Sequence, residues 1–149
     1  MVNVRLAQLN DAQRIWEIRH EPAALAVAAS PAAIPLAQHI SWFSDKYFTD
    51  RGSFCFVAET DRGVVGYSRF DLSNGRLLNS IAVATAMHGQ GIGTLLLKQS
   101  IEQLQLTPHH PHTPIHAEVR KFNTVSIKMF EKVGFKKISE DDQNIYYQL

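Results

Sequence analysis

The run His88-Gly-Gln-Gly91-Ile-Gly93 opens an apolar helical pattern, and this is the segment of the chain best suited to chemistry. The first turn of a helix leaves backbone N–H groups without intrahelical partners, and the aligned peptide dipoles place roughly half a positive charge there. Glycines let that backbone approach an anion with no side chain between. The loop lacks the lysine and Ser/Thr ending of a nucleoside-triphosphatase loop. It also fails the dinucleotide fingerprint, which would need a third glycine where Leu96 stands. On its own the pattern is equally compatible with a tight turn that packs a helix on a sheet. Other reactive residues point nowhere so firmly. His109, His110, His112 and His116 fall in a proline-rich stretch without regular ligand spacing or a cysteine partner, so a solvated loop is expected and no metal site. Cys55 alternates with Phe54 and Phe56 and reads as a structural thiol.

The elements that would position this loop follow from periodicity. Val2 to Leu6 reads as a first strand, and Asn10 or Asp11 caps a helix running to about His20. Pro22, Pro31 and Pro35 predict a loop, then a helix from about Pro35 to Tyr47. Ser53 to Glu59 and Val64 to Phe70 form a hairpin across Thr60-Asp-Arg-Gly63, and Asn74-Gly75 turns the chain into a third strand, Arg76 to Ala84. The glycine loop then leads into a helix from Gly91 to Leu104, with Gly93, Leu96, Leu97, Ile101 and Leu104 on one face. Thr107 to Pro114 is irregular, Ile115 to Arg120 is a strand, and Asn123 caps a helix that Gly134 stops. Phe135 to Ser139 and Asn144 to Gln148 close as a hairpin. The expectation is a mixed α/β fold in a single domain over residues 1–149.

Composition narrows the class. The 149 residues are 45% hydrophobic and 19% charged, as in ordinary globular proteins, and could support one core. A formal charge of +1 gives no broad pull toward nucleic acid or anionic lipid, so an anionic ligand must be held by local geometry. No apolar run approaches the ~20 residues of a membrane span. The single cysteine excludes an internal disulfide, and with no signal peptide in Met1 to Gln13 a cytoplasmic protein is expected.

The second half of the chain resembles the GCN5-related N-acetyltransferase family. That family carries a strand ending Val-x-Pro, then Arg/Gln-x-x-Gly-x-Gly/Ala, a further strand, Asn-x-x-Ala/Ser-x-x-x-Tyr, and soon after Gly-Phe. Here the pieces read Val83-Ala-Thr85, His88-Gly-Gln-Gly91-Ile-Gly93, then Asn123-Thr-Val-Ser126-Ile-Lys-Met-Phe130 and Gly134-Phe135. The resemblance implies an N-acetyltransferase of the family's α/β fold, using acetyl-coenzyme A as co-substrate and a primary amine as acceptor. It implies that the N–H groups of His88, Gly89, Gln90, Gly91, Ile92, Gly93 and Thr94 hold the pyrophosphate. The pantetheine arm would lie along Ile81, Ala82 and Val83, with the Val83 N–H facing the thioester oxygen. Asn123, Ser126 and Phe130 would follow the cofactor on one helical face. By similarity to the ribosomal-protein acetyltransferase branch, Glu118 is the candidate base; the alternative is a strand glutamate paired with Arg120 or solvent.

Three positions depart from the pattern. Thr85 replaces proline, and His88 replaces Arg or Gln, which makes that contact to pyrophosphate weaker or dependent on protonation. Phe130 stands where many members carry a tyrosine that protonates the leaving thiolate; Ser126, Tyr146 and Tyr147 are the candidates to replace it, with Ser126 taken as a catalytic residue beside Glu118. His39-x-x-Trp42-Phe43 and Gly66-Tyr-Ser-Arg69-Phe70-Asp71 look like the branch that acetylates nucleotide-linked amino sugars, which also has phenylalanine at the tyrosine position. For His39 and Trp42 the plain alternative is core packing with the histidine exposed. Protein N-termini and amino acids stay open as acceptors, and small members of the family often form dimers. A non-catalytic acyl-coenzyme A sensor and a plain nucleotide-binding domain are the rival functions.

Overall fold

The computed structural model describes residues 1–28, 30–107 and 113–149. Strand β1 (Asn3–Leu6) leads through a 3-10 turn into α1 (Ala12–Arg19), followed by α2 (Pro22–Val27) and α3 (Leu36–Tyr47). A meander of β2 (Phe54–Thr60), β3 (Gly63–Ser73) and β4 (Arg76–Val83) comes next. Then follow α4 (Ile92–Gln105), β5 (Ile115–Arg120), α5 (Thr124–Val133), β6 (Lys136–Glu140) and β7 (Asn144–Gln148). The seven strands form one sheet in the order β1-β2-β3-β4-β5-β7-β6, in which the β4–β5 pairing alone is parallel.

Alternation along the strands divides the hydrophobic residues between two layers. On one face Phe56, Phe70, Leu77, Ala117 and Val119 pack with Leu96, Leu97, Ile101 and Leu104 of α4 and Phe130 of α5. On the other, Cys55, Val57 and Tyr67 pack with Ile15 and Ile18 of α1 and Phe43 of α3. Asn74 and Gly75 both have positive φ, +53° and +73°, the turn geometry that matches the twist of a tight hairpin.

The structure departs from expectation between Pro22 and Pro35, where α2 replaces part of the loop. Glu21 is extended and its carbonyl accepts the Leu25 N–H, while Pro22 sits in the first turn, where a missing N–H costs nothing. Alanines 23, 24 and 26 then favour the helix until Ala28 returns to extended backbone. Thr85–Met87 adds a 3-10 turn between β4 and the glycine loop. Among the described residues no helix is long and apolar enough to cross a membrane.

Candidate active site

The sheet divides at its one parallel pairing. β4 and β5 are in register only at Leu77–Ile115, Leu78–His116 and Asn79–Ala117. In an antiparallel ladder alternate residues turn their N–H toward the partner strand. Ala84 N–H bonds Val65 O at 2.7 Å on the β3 side, whereas Leu77 N–H bonds Pro114 O at 3.1 Å on the β5 side. Counting by twos, the N–H groups of Ile81 and Val83 also face β5, beyond the last registered pair. Ile81 lines an open cleft of about 270 Å³ whose walls also include Ser80, Ala82, Val119, Asn123 and Phe130, and Val83 follows Ala82 at the end of β4.

The glycine loop stands at the end of β4. Gly89 and Gly91 have φ of +79° and +75°, and a Cβ on either would meet nothing within 4 Å, so the loop presents bare backbone to open space. Leu95 N–H makes the first helical bond, to Gly91 O, which leaves the N–H groups of Ile92, Gly93 and Thr94 for a ligand. Gly93 serves packing instead. A Cβ there would lie 3.2 Å from Met129 Sδ, so its absence lets α4 approach α5. Gln90 is exposed. His88 turns back, its Nε2 lying 2.8 Å from Val83 O. A carbonyl only accepts, so Nε2 carries the proton, and the imidazole braces the strand end with that atom.

Across the cleft, Asn123 caps α5 by accepting the Ser126 N–H at 3.3 Å. Ser126 and Phe130 continue the same face into the cleft. Phe130 is buried edge-on to Phe135 at 5.0 Å and stacked on Tyr147 at 6.2 Å. Tyr147 lies behind it, donates to Glu131 at 2.9 Å, and is pushed up to about 12 by burial and by that carboxylate. Tyr146 turns to the other face of β7 and donates to Asp141. Of the three hydroxyls considered in place of a tyrosine at 130, Ser126 is the one that lines the cleft.

The outer half of the cleft is charged. Glu118 is exposed and, among the described residues, makes no hydrogen bond or ion pair; it also borders a second cavity of about 380 Å³ with Arg76, His116 and Tyr146. Burial and Arg76 hold His116 below its usual pKa. Arg120 does not pair with Glu118: it donates to Gln143 Oε1 at 2.9 Å and Ala28 O at 3.3 Å. On β3, Tyr67, Arg69 and Asp71 alternate onto this face. Burial opposes the Arg69 charge, but Asp71 at 3.1 Å prevails, and the guanidinium lies 5.3 Å over the Trp42 ring. Tyr47 donates to the same Asp71, and its own pKa is raised, first by burial.

His39 is buried, with Nε2 2.9 Å from Ala12 O, and burial lowers its pKa; Trp42 is the exposed member of that pair, the reverse of the packing alternative. Cys55 is buried and its thiol pKa is raised by desolvation, which makes it inert. Arg19 and the α2 segment also line the cleft, and periodicity did not mark them. Among the described residues no group of three or more His, Cys, Asp or Glu could hold a metal. His109, His110 and His112 lie outside the described residues.

Bare glycine backbone, a free first helical turn and two unpartnered strand N–H groups fit a ligand with a phosphate at one end and an amide-bearing arm at the other. The model of the acetyltransferase (GNAT) family matches residues 12–135, and the chain belongs to that family. An N-alpha-acetyltransferase of Sulfurisphaera tokodaii is 28% identical over 91% of this chain and 80% of its own length. The fold matches that of the Salmonella typhimurium protein yncA, solved with its cofactor acetyl-CoA (TM-score 0.81, 20% identity, covering 100% of this chain and 93% of that one). It also matches a phosphinothricin acetyltransferase of Sinorhizobium meliloti in complex with acetyl-CoA (TM-score 0.80, 21% identity, 99% of this chain and 87% of that one). The protein is an acetyl-CoA-dependent N-acetyltransferase.

Proposed function

We propose that a neutral primary amine on a small molecule attacks the thioester directly, in a ternary complex, with Glu118 taking the amine's proton. The observation that carries this reading is a β5 carboxylate, without a partner among the described residues, that lines the cleft where β4 and β5 part, beside the strand that ends at Val83. Acetyl-CoA supplies the activated acetyl group; the protein supplies orientation, charge stabilisation and a proton path. The Val83 N–H is held by its strand toward the thioester oxygen, and a preorganised donor at a developing negative charge contributes about 2.7–4 kcal/mol. Ile81, Ala82, Asn123, Ser126 and Phe130 form the walls for the pantetheine arm, and the backbone from His88 to Thr94 takes the pyrophosphate.

An amine is mostly protonated at neutral pH, so a base, directly or through water, is worth about 10²–10⁴ in rate. Phe130 offers no proton to the departing sulfur. A thiol titrates near ~8.5, so its anion leaves without an acid, and Ser126 stands in the cleft to hydrogen-bond it. The acceptor read from the sequence is a nucleotide-linked amino sugar, and the arginines of the outer cleft suit its phosphates. A second reading, a protein N-terminus, is favoured by the name of the Sulfurisphaera tokodaii relative. A cytoplasmic setting accords with the free thiol of Cys55.

The test is thiol release from acetyl-CoA against amino sugars and their nucleotide conjugates, amino acids and short peptides. Release with one small-molecule class is expected. Release with peptides alone would move the assignment to protein N-termini. No release while acetyl-CoA still raises the melting temperature would favour a sensor.

A further inference from the structure

Arg19 ends α1 at the wall of the cleft, and its Nη1 is buried without a hydrogen-bond partner among the described residues. Among the described residues its Nη2 reaches only the Ser30 carbonyl, at 3.5 Å, the limit of a hydrogen bond. Burial, and then the nearby cation of Arg69, lower its pKa; no carboxylate acts in the opposite sense. Arg120, on the facing strand, is likewise held by neutral groups, Gln143 Oε1 and Ala28 O. The carboxylates nearby do not answer them: Asp71 is engaged by Arg69 and Tyr47, and Glu118 makes no ion pair among the described residues. Arg19 as a whole is half-buried, but its Nη1 is shut off from water, and an enclosed donor of a cation is costly unless something anionic completes it.

We propose that the acceptor amine carries an oxyanion, a carboxylate or a phosphate, and that Arg19, in a cleft that Arg120 also lines, binds that group. The inference rests on reading the outer cleft as the acceptor site. It goes further, because it makes a second functional group on the acceptor a condition of good turnover. A guanidinium can present two parallel N–H donors matched to carboxylate and phosphate oxygens, and of the two terminal nitrogens of Arg19 one is unused and the other weakly used among the described residues. Binding there would anchor the acceptor at one end and leave its amine to Glu118 at the other. The two arginines also donate to the carbonyls of Ser30 and Ala28, respectively.

The test compares matched pairs of amines that differ only in the oxyanion. An α-amino acid is set against its carboxamide, and an amino-sugar phosphate against the free amino sugar, with saturating acetyl-CoA. For at least one pair the wild type should prefer the anionic member by about 10–100-fold in kcat/KM, the worth of a charged hydrogen bond. Which pair responds tells carboxylate from phosphate. Arg19→Gln should erase the preference by raising KM for the anionic member about 10–100-fold more than for the neutral one, with a much smaller effect on kcat. Arg19→Lys should restore part of it. Equal kcat/KM within every pair, or an equal loss on both members in Arg19→Gln, overturns the proposal.

Melting temperatures with coenzyme A and the same compounds separate this inference from the transfer reading. If no amine is acetylated but the anionic members stabilise the wild type and not Arg19→Gln, the anion site stands and the transfer reading fails. If a neutral amine is acetylated regardless of Arg19, the transfer reading stands and the anion site fails.

Discussion

Replacing the Glu118 carboxylate by an amide of the same shape separates proton transfer from binding. Glu118→Gln should lower kcat at neutral pH by about 10²–10⁴ and leave acetyl-CoA affinity unchanged. The deficit should shrink as pH rises and the amine deprotonates by itself. Rate profiles of the two proteins from pH 6 to 10 check this, and coincident profiles would remove Glu118 from the mechanism. Phe130→Tyr asks the opposite question at the other end of the reaction. Under the proposed mechanism the thiolate leaves without an acid, so the added hydroxyl should change kcat by less than about threefold. A gain of about 10² would mean that proton donation to sulfur limits the wild type. The places of Ser126 and Phe130 in the cleft were legible because each stands at a fixed distance from Asn123 and a capped helix carries that spacing into space, whereas Glu118, on β5, was marked by family resemblance. Arg19 was not visible. Nothing around it in the chain distinguishes a surface cation at a helix end from one that tertiary packing folds over a cleft.

At the scale of elements, the loop between β4 and α4 carries two kinds of glycine, and substitution should tell ligand contact from packing. Gly91→Ala places a side chain at φ +75°, a conformation that costs roughly 1–2 kcal/mol, and puts a methyl group where the phosphate would approach. It should weaken acetyl-CoA binding by about tenfold or more as well as lower stability, read by titration and thermal melting. Gly66, on β3, is not among the residues that line the cleft, which makes Gly66→Ala a packing probe. Its Cβ would meet Ala82 O at 3.0 Å and Leu96 Cδ2 at 3.2 Å, pressing β3 against β4 and α4. It should cost about 1–3 kcal/mol of stability while acetyl-CoA affinity per folded molecule stays near wild type. Elements with strong local punctuation were legible: the Asn74-Gly75 turn, the Asn123 cap and the Gly134 stop fall where the sequence put them. The helix at Pro22–Val27 was missed because Pro22, Pro31 and Pro35 were read as breaking up the segment between them, although Pro22 occupies the position where proline starts a helix.

At the scale of the whole molecule, the order of the strands creates the site. The meander and the final hairpin are local and readable, but the placing of β7 between β5 and β6, and the early end of the β4–β5 pairing, are decided by packing. Charge also ties distant parts together. Arg5 bridges Asp11 at 2.8 Å and Glu59 at 2.9 Å, joining β1, the turn before α1 and β2. Burial pushes the Asp11 carboxyl up, but the Arg5 guanidinium and the Gln8 N–H win and hold it below its ordinary value. A depressed carboxylate contributes stability that is present above the unfolded pKa, near ~3.9, and lost as pH falls through the folded one. Asp11→Asn should therefore cost about 1–2 kcal/mol at pH 7, and its deficit against wild type should narrow below about pH 4 in denaturant titrations.

Direct transfer requires both substrates to occupy the divided sheet together, with no acyl group passing through the protein. The most direct measurement is an initial-rate grid of thiol release, varying acetyl-CoA and the best amine independently. Direct attack within a ternary complex predicts double-reciprocal lines that intersect. Parallel lines, with an acetylated protein detectable by mass before amine is added, would show a covalent intermediate and contradict the mechanism derived from Glu118 and Val83.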